Sequence, residues 1–216
     1  VVISKVTADG KRGAVVSVNC ETDFVAKNED YGKMVSNILE IALANKPATA
    51  EELFAMSYDG KITIAEKLTE QTGVIGEKIE LAKYEFVEAP LVISYNHPGN
   101  RLATVVGFSS ATVPTEVAKD IAMQVAAMAP VAVDKGDVST EMLQREIEIG
   151  KEQARQEGKP EEMLEKIAMG KLNKFYKEST LLNQEFIKDN KKTIAQYLNE
   201  AEKGLTVNGF RRIALA

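Results

Sequence analysis

Few residues of this sequence could carry out covalent chemistry. Its 216 residues include one cysteine, Cys20, and one histidine, His97, which could in principle form a nucleophile and its base. We favour the alternative that Cys20 is a small apolar residue on a buried strand face and that His97 is a turn residue. A single histidine and a single cysteine also argue against a zinc site. We therefore expect no metal, no cofactor and no catalytic residues.

Two further patterns that can indicate catalysis are incomplete. Residues 73–76 read Gly-Val-Ile-Gly and lack the Lys-Ser/Thr pair that a phosphate-binding loop requires. The 32 acidic residues include no pair at a spacing typical of a general acid and base. The remaining hypotheses are a protein-binding factor, a ribosome- or RNA-associated module and a structural homodimer.

Composition narrows the range of partners. The net charge is −5, and 44% of the residues are hydrophobic. We see no basic face that would neutralise many phosphates, so direct binding to nucleic acid is not expected. No apolar run approaches the roughly 18 residues of a membrane span. A single cysteine cannot form a disulfide within the chain, which fits a reducing compartment. We expect a cytoplasmic protein.

The most informative segment is residues 19–28, which lies between a predicted strand and a predicted helix. Asp23 and Phe24 stand side by side at this junction. Such junctions lie at the surface and often carry function. Phe24 is either a plug in the protein's own core or a wedge for another protein, and composition alone favours the plug because most aromatic side chains pack internally.

Periodicity and capping signals predict a mixed α and β fold. Strands are expected over residues 12–20, 77–87, 91–95, 102–108 and 209–215. Helices are expected over residues 29–45, 49–56, 63–72, 114–128, 139–156, 160–177 and 193–202. Pro98-Gly99 suits the centre of a type II turn, so residues 91–108 should form a hairpin. Gly73 is expected to end the third helix.

Residues 139–178 differ in character from the rest of the chain, since they combine many charges with apolar residues at heptad-like spacing. The small residues Gly150, Ala154 and Ala168 would let two helix backbones approach closely. The pattern predicts an antiparallel helical hairpin, a short two-stranded coiled coil. Its role is either that of a solvated strut or that of a contact between two copies of the chain.

Residues 20–30 read Cys-Glu-Thr-Asp-Phe-Val-Ala-Lys-Asn-Glu-Asp, which closely resembles the signature of the bacterial-type elongation factor Ts family. Other segments are similar to further family segments in the same order. These are Ile75-Gly76-Glu77, the hairpin around His97, residues 122–127 with Gln124 in place of the usual histidine, and residues 208–212. The resemblance covers essentially the whole chain. Family members usually also carry a three-helix domain before this region, so we expect the sequence to be the core of such a factor.

The resemblance implies an α+β architecture and a binding function. Two related subdomains are implied, residues 1–88 and residues 89–138 with 179–216, each with a small antiparallel sheet packed by helices. An inserted coiled-coil hairpin is implied at residues 139–178. The implied function is guanine-nucleotide exchange on elongation factor Tu, a partner that the factor binds without breaking bonds itself.

The family resemblance also implies which residues meet the partner. Thr22, Asp23, Phe24 and Val25 are expected to reach into the GTPase domain of elongation factor Tu near its magnesium and phosphates. Two further contacts are expected, from Ile75 and Gly76 to the same domain and from His97 to the third domain. For Phe24 this reverses the expectation from composition. Exposing a phenylalanine forgoes about 1.5–3 kcal/mol of burial, which docking into a partner recovers.

Overall fold

The structure, a computed structural model, describes all 216 residues. It contains helices and small antiparallel sheets, so the prediction of an α+β fold is confirmed. The chain divides into two compact units, residues 1–127 with 205–216 and residues 128–204. None of the helices is both long and apolar enough to cross a membrane.

The elements follow one another in a mixed order. The strands are β1 (Val2–Val6), β2 (Arg12–Asn19), β3 (Glu80–Glu88), β4 (Leu91–Asn96), β5 (Leu102–Phe108), β6 (Glu185–Phe186), β7 (Asp189–Thr193) and β8 (Val207–Ala214). The α-helices are α1 (Asp23–Ala26), α2 (Glu29–Asn45), α3 (Ala50–Phe54), α4 (Ile64–Ile75), α5 (Thr115–Met128), α6 (Thr140–Gln156), α7 (Leu164–Ser179) and α8 (Ile194–Ala201). Short 3-10 turns occupy Lys135–Asp137, Glu161–Met163 and Leu181–Asn183.

The first unit contains two antiparallel sheets of three strands, ordered β1-β2-β3 and β4-β5-β8. Their facing sides share one apolar cluster, which includes Val15 and Val87 from the first sheet and Val105 and Ile213 from the second. At Gly13 the sheets approach so closely that a Cβ atom would lie 2.6 Å from a methyl group of Val92. A larger residue there would force the Val92 side chain to shift.

The outer face of the first sheet packs against helices α2, α3 and α4, and this core is built from side chains such as Val16, Ile38, Leu53 and Ile64. Helix α2 starts as predicted, because the Asn28 side chain accepts a hydrogen bond from the Tyr31 amide at 3.1 Å. The outer face of the second sheet meets α5. There the hydroxyl of Thr104 donates to the carbonyl of Ala122 at 3.1 Å.

Strand β2 departs from the predicted alternation. The sequence predicted one buried face, formed by Ala14, Val16, Val18 and Cys20. The structure buries Ala14, Val16 and Val18, but the strand ends at Asn19 and Cys20 is only half-buried. It also buries Val15, because the second sheet covers the other face of the strand. Strand β1 was not predicted, since five residues that include a serine and a lysine show no clear pattern.

The end of helix α4 corrects one prediction. Gly73 does not end the helix, which continues to Ile75. Gly76 is the residue that takes the left-handed conformation, with φ of 81°. A glycine inside a helix is tolerated at modest cost, whereas the left-handed position after the last turn favours glycine strongly. The strand expected from Glu77 begins only at Glu80.

Helices α6 and α7 of the second unit lie against each other, with the end of α6 next to the beginning of α7. A Cβ atom on Gly150 would lie 3.2 Å from the Cα of Ala168, so the backbones approach closely at the small residues. The Lys171 amine donates to the Gln153 side chain at 3.1 Å. Near the connecting turn, Arg155 binds Glu161 at 2.9 Å.

Candidate functional site

Phe24 is the most exposed large apolar side chain of the protein, with 89% of its surface accessible. The interpretation that it plugs the core is therefore wrong. Val74, at 74%, is the next most exposed, and the other exposed apolar side chains lie between 37% and 46%. Burial is the default for an apolar side chain of this size, so such exposure marks a candidate contact surface.

Phe24 is carried by the four-residue helix α1, which has no buried residue of its own. Thr22 caps this helix, and its hydroxyl accepts from the Val25 amide at 3.4 Å. At the other end the Lys27 amide donates to the carbonyl of Asp23 at 3.0 Å, and Asn28 begins α2. Val25 is half-buried against the core of the first sheet. Helix α1 was not predicted, because four residues are too few to show helical periodicity.

Two side chains, one buried and one half-buried, support the backbone beneath this helix. The Tyr31 hydroxyl donates to the carbonyl of Val18 at 2.8 Å. Burial raises the pKa of Tyr31 well above its ordinary value, so the phenol keeps its proton and remains a donor. The Cys20 thiol donates to the carbonyl of Thr22 at 3.3 Å. Cys20 is thus half-buried and hydrogen-bonded at the base of the loop, just after the strand end, and does not lie on a buried strand face as the sequence predicted.

The Glu77 carboxylate connects the residues before α1 to the end of α4, and the sequence did not single it out as a site residue. It accepts from the backbone amides of Glu21 and Thr22 at 2.9 and 3.0 Å and from the Thr22 hydroxyl at 2.5 Å. The bond from Thr22 holds the pKa of Glu77 below its ordinary value. In return, the Lys78 amide donates to the Glu21 side chain at 3.3 Å.

These bonds bring together the two segments that the sequence placed about 50 residues apart. Ile75 is the last residue of α4, and Gly76 turns the chain so that Glu77 reaches the residues before α1. A groove of about 400 Å³, which we call the Phe24 groove, lies between α1 and the end of α4. It is lined by Phe24, Val25, Asn28, Asp30, Tyr31, Gln71, Val74 and Ile75.

The predicted hairpin turn is present in the β4–β5 connection. The Asn100 amide donates to the carbonyl of His97 at 3.1 Å, and Gly99 has a φ of 93°, as a type II turn requires. The Nδ1 atom of His97 lies 2.9 Å from the Tyr95 hydroxyl. The His97 ring is exposed and does not line the Phe24 groove.

A second groove, of about 590 Å³, connects the turn to the other side of α1. It is lined by Gly99 and Asn100 of the turn, by residues 26–28 and by the exposed start of α2. The structure therefore places the turn, though not the His97 ring itself, beside the helix that carries Phe24.

The two residues that could form a nucleophile and its base are not hydrogen-bonded to each other. Cys20 and His97 have separate hydrogen-bond partners, Thr22 and Tyr95. No group of three or more His, Cys, Asp or Glu side chains lies close enough together to hold a metal ion. The exposed groups on this surface are the Phe24 ring, the Val74 side chain and the Asp23 carboxylate.

Comparison with known proteins assigns the family. Residues 21–216 match the family model described as Elongation factor TS. The chain is 50% identical over 212 residues to the elongation factor Ts of Azobacteroides pseudotrichonymphae, in an alignment that covers 97% of this chain and 77% of the relative. It is also 50% identical over 213 residues to that of Cytophaga hutchinsonii, covering 98% and 77%. A third relative, from Porphyromonas gingivalis, is 50% identical over 202 residues, covering 94% and 73%. This chain therefore belongs to the elongation factor Ts family of translation elongation factors.

Proposed function

We propose that this protein is a guanine-nucleotide exchange factor that binds elongation factor Tu in its GDP form and accelerates the release of GDP. It has no bond-breaking chemistry of its own, and its action lies in the cytoplasm, where translation takes place. The observation that carries the proposal is the 89% exposure of Phe24 on a helix held at both ends. An apolar side chain that is fixed and exposed is prepared for insertion into a partner.

In this proposal Phe24 acts as a wedge next to the magnesium and phosphate site of the GTPase. GDP binding depends largely on the magnesium ion and on the amides that surround the phosphates. Displacing those groups by even a short distance therefore speeds nucleotide release. Asp23, which is exposed beside Phe24, competes for hydrogen-bond donors near the phosphates and is not a magnesium ligand.

The neighbouring residues extend the contact. Thr22 and Val25 contact the GTPase domain beside Phe24. They also place the wedge, since one caps α1 and the other fixes it to the core. Ile75 and Gly76 approach the same GTPase domain. Ile75 lines the groove next to Phe24, and Gly76 turns the chain beside it. His97 contacts the third domain of elongation factor Tu from the exposed β4–β5 turn.

Reversibility follows from linkage. If the factor weakens GDP binding, GDP must weaken binding of the factor by the same ratio. GTP then completes the cycle by displacing the factor. No energy source is needed, because only binding equilibria are coupled.

The proposed domain organisation consists of residues 1–88, residues 89–138 with 179–216, and an inserted coiled-coil hairpin at residues 139–178. The two sheets support it, because the first is formed entirely within residues 1–88 and the second by strands from both parts of the other subdomain. The hairpin is also the proposed contact for a homodimer. Ile149 and Met169, each more than 40% exposed, would supply apolar surface to it.

The direct test is release of a fluorescent GDP from purified elongation factor Tu, for example that of Cytophaga hutchinsonii. Substoichiometric amounts of this chain should release all of the bound nucleotide once unlabelled nucleotide is in excess. Binding is measured separately by gel filtration of the mixture without nucleotide. A chain that binds but leaves the release rate unchanged would refute the exchange function.

A further inference from the structure

We propose that Glu77 is a positioning residue for exchange, which fixes the segment carrying Phe24 before the partner arrives. This inference rests on the proposed function and adds to it a residue outside the contact surface. Glu77 acts through Thr22 and not on the partner. The relationship that carries it is the set of three hydrogen bonds from residues 21 and 22 to one carboxylate.

The contact is specific in its geometry. One carboxylate oxygen of Glu77 accepts from two consecutive backbone amides, and the other accepts from the Thr22 hydroxyl. Bonds to an ionised acceptor are shorter and stronger than bonds between neutral groups. The depressed pKa of Glu77 agrees with this geometry.

Few other groups could replace this carboxylate. Residues 20–22 lie between the end of β2 and the start of α1 and belong to neither element. Their amides therefore have no partner within a sheet or a helix. Without Glu77, the Glu21 and Thr22 amides would turn to water, and the segment would gain conformational freedom.

The Thr22 hydroxyl couples the carboxylate to the wedge. It donates to Glu77 and at the same time accepts from the Val25 amide as the cap of α1. Glu77 thus sets the direction in which the Thr22 hydroxyl donates. The lone pairs of the hydroxyl oxygen remain available to accept from the Val25 amide. Phe24 is the second residue of that helix, so its direction depends on the cap.

The position of Glu77 depends in turn on the end of α4. Gly76 has a φ of 81°, a conformation that favours glycine. This turn brings Glu77 back toward residues 21–22 and leaves Val74 exposed. The same stretch of chain therefore carries an exposed apolar side chain, Val74, and the carboxylate that holds residues 21–22.

If Glu77 orders the segment that carries Phe24 before docking, removing its carboxylate should slow the exchange reaction in a specific way. A wedge segment that is mobile in the free protein must become ordered on docking, and that entropy is subtracted from the binding free energy. We define exchange efficiency as the increase in the GDP release rate per unit concentration of factor, measured at low factor concentration. Glu77→Ala should therefore lower the exchange efficiency by about tenfold. The maximal rate at saturating factor should change much less, because Phe24 is still present once docked.

The variants are chosen to separate position from charge. Glu77→Gln can still accept from the two amides through its carbonyl oxygen, and its NH₂ group can donate to the Thr22 hydroxyl. It should recover most of the lost efficiency. Glu70→Ala is the matched control, since Glu70 is an exposed carboxylate on α4 that pairs with Lys67 and does not contact residues 21–22. It should behave like the unchanged chain.

Two measurements complete the test. Hydrogen exchange of the peptide covering residues 20–27 should be faster in Glu77→Ala than in the unchanged chain, with no change in the core strands. In a Phe24→Ala background, adding Glu77→Ala should reduce efficiency by much less than tenfold, because the wedge to be positioned is missing. A purely structural role would give equal losses in both backgrounds.

The outcomes are distinguishable. An unchanged chain that does not accelerate GDP release refutes the proposed function, and the positioning role falls with it. If the unchanged chain is active, then full activity of Glu77→Ala, or a loss in Glu77→Gln as large as that in Glu77→Ala, refutes the positioning role alone. Faster hydrogen exchange at residues 20–27 together with a loss that Glu77→Gln recovers supports it.

Discussion

The Glu77 carboxylate binds both the backbone amide and the hydroxyl of Thr22, at 3.0 and 2.5 Å. These two residues are far apart in the chain, and each belongs to one of the two segments in which we place the binding surface. Their contact joins the end of α4 to the start of α1. Phe24 and Val74 consequently project from two segments that are held to each other.

The exposure of Val74 predicts a second apolar anchor. Val74→Asp should weaken binding to elongation factor Tu by at least about tenfold, because a carboxylate would lose water at the interface without a partner. The melting temperature should change little, since the side chain is 74% exposed. Val131→Asp, at an exposed valine of the second unit, is the control and should bind normally. Equal binding by the two variants would exclude Val74 from the interface.

The pKa of Glu77 predicts how the loop responds to acid. Because the Thr22 bond lowers the pKa in the folded state, the bond is fully present above the unfolded-state pKa of about 4.3. It is lost as the pH falls through the lower, folded-state value. The nearest ionisable groups include the exposed Glu21, and Tyr31 stays neutral throughout.

This response can be measured by NMR titration of the Glu21 and Thr22 amide shifts. They should stay constant from neutral pH down to about pH 5 and then move with a midpoint below that of an ordinary glutamate. In Glu77→Gln the component with this low midpoint should be absent from the Thr22 amide. A midpoint at or above the ordinary value would contradict the hydrogen-bonded geometry.

The close approach of α6 and α7 predicts opposite results at two glycines. Gly150→Val should destabilise the second unit by about 1–3 kcal/mol, because a side chain at this position meets the Ala168 backbone. Gly170→Val should be nearly neutral, since nothing lies within 4 Å of its added Cβ. The free energy of unfolding of both variants, obtained by urea denaturation, checks this. Equal changes at the two positions would contradict the close packing at Gly150, because propensity alone makes valine slightly better than glycine in a helix.

Much of the fold could be predicted from local sequence signals. The cap at Asn28, the type II turn at Pro98-Gly99 and the long helices all depend on residues close together in the chain. Strand β1 and helix α1 escaped prediction because they are too short to show a period. The choice of Gly76 over Gly73 as the end of α4 depends on how the chain continues toward residues 21–22, which a local pattern does not contain.

Some residues of the candidate site could be predicted from the sequence, and others became visible only in the structure. Thr22, Asp23, Phe24 and Val25 were identified through their resemblance to a family, since composition alone favoured a buried Phe24. The role of Glu77 could not be predicted, because its partners are more than 50 residues away in sequence. The exposure of Val74 likewise depends on the three-dimensional position of the last turn of α4.

The central claim is that Phe24 is a wedge for the partner and not a part of the protein's own core. The most direct measurement compares the unchanged chain with Phe24→Ala in fluorescent GDP release and in thermal unfolding. We predict a fall in exchange efficiency of about 30-fold or more, as expected for an anchoring aromatic, with an unchanged melting temperature. Undiminished exchange by Phe24→Ala would contradict the account, and so would a clearly lowered melting temperature, because it would show that Phe24 supports the fold.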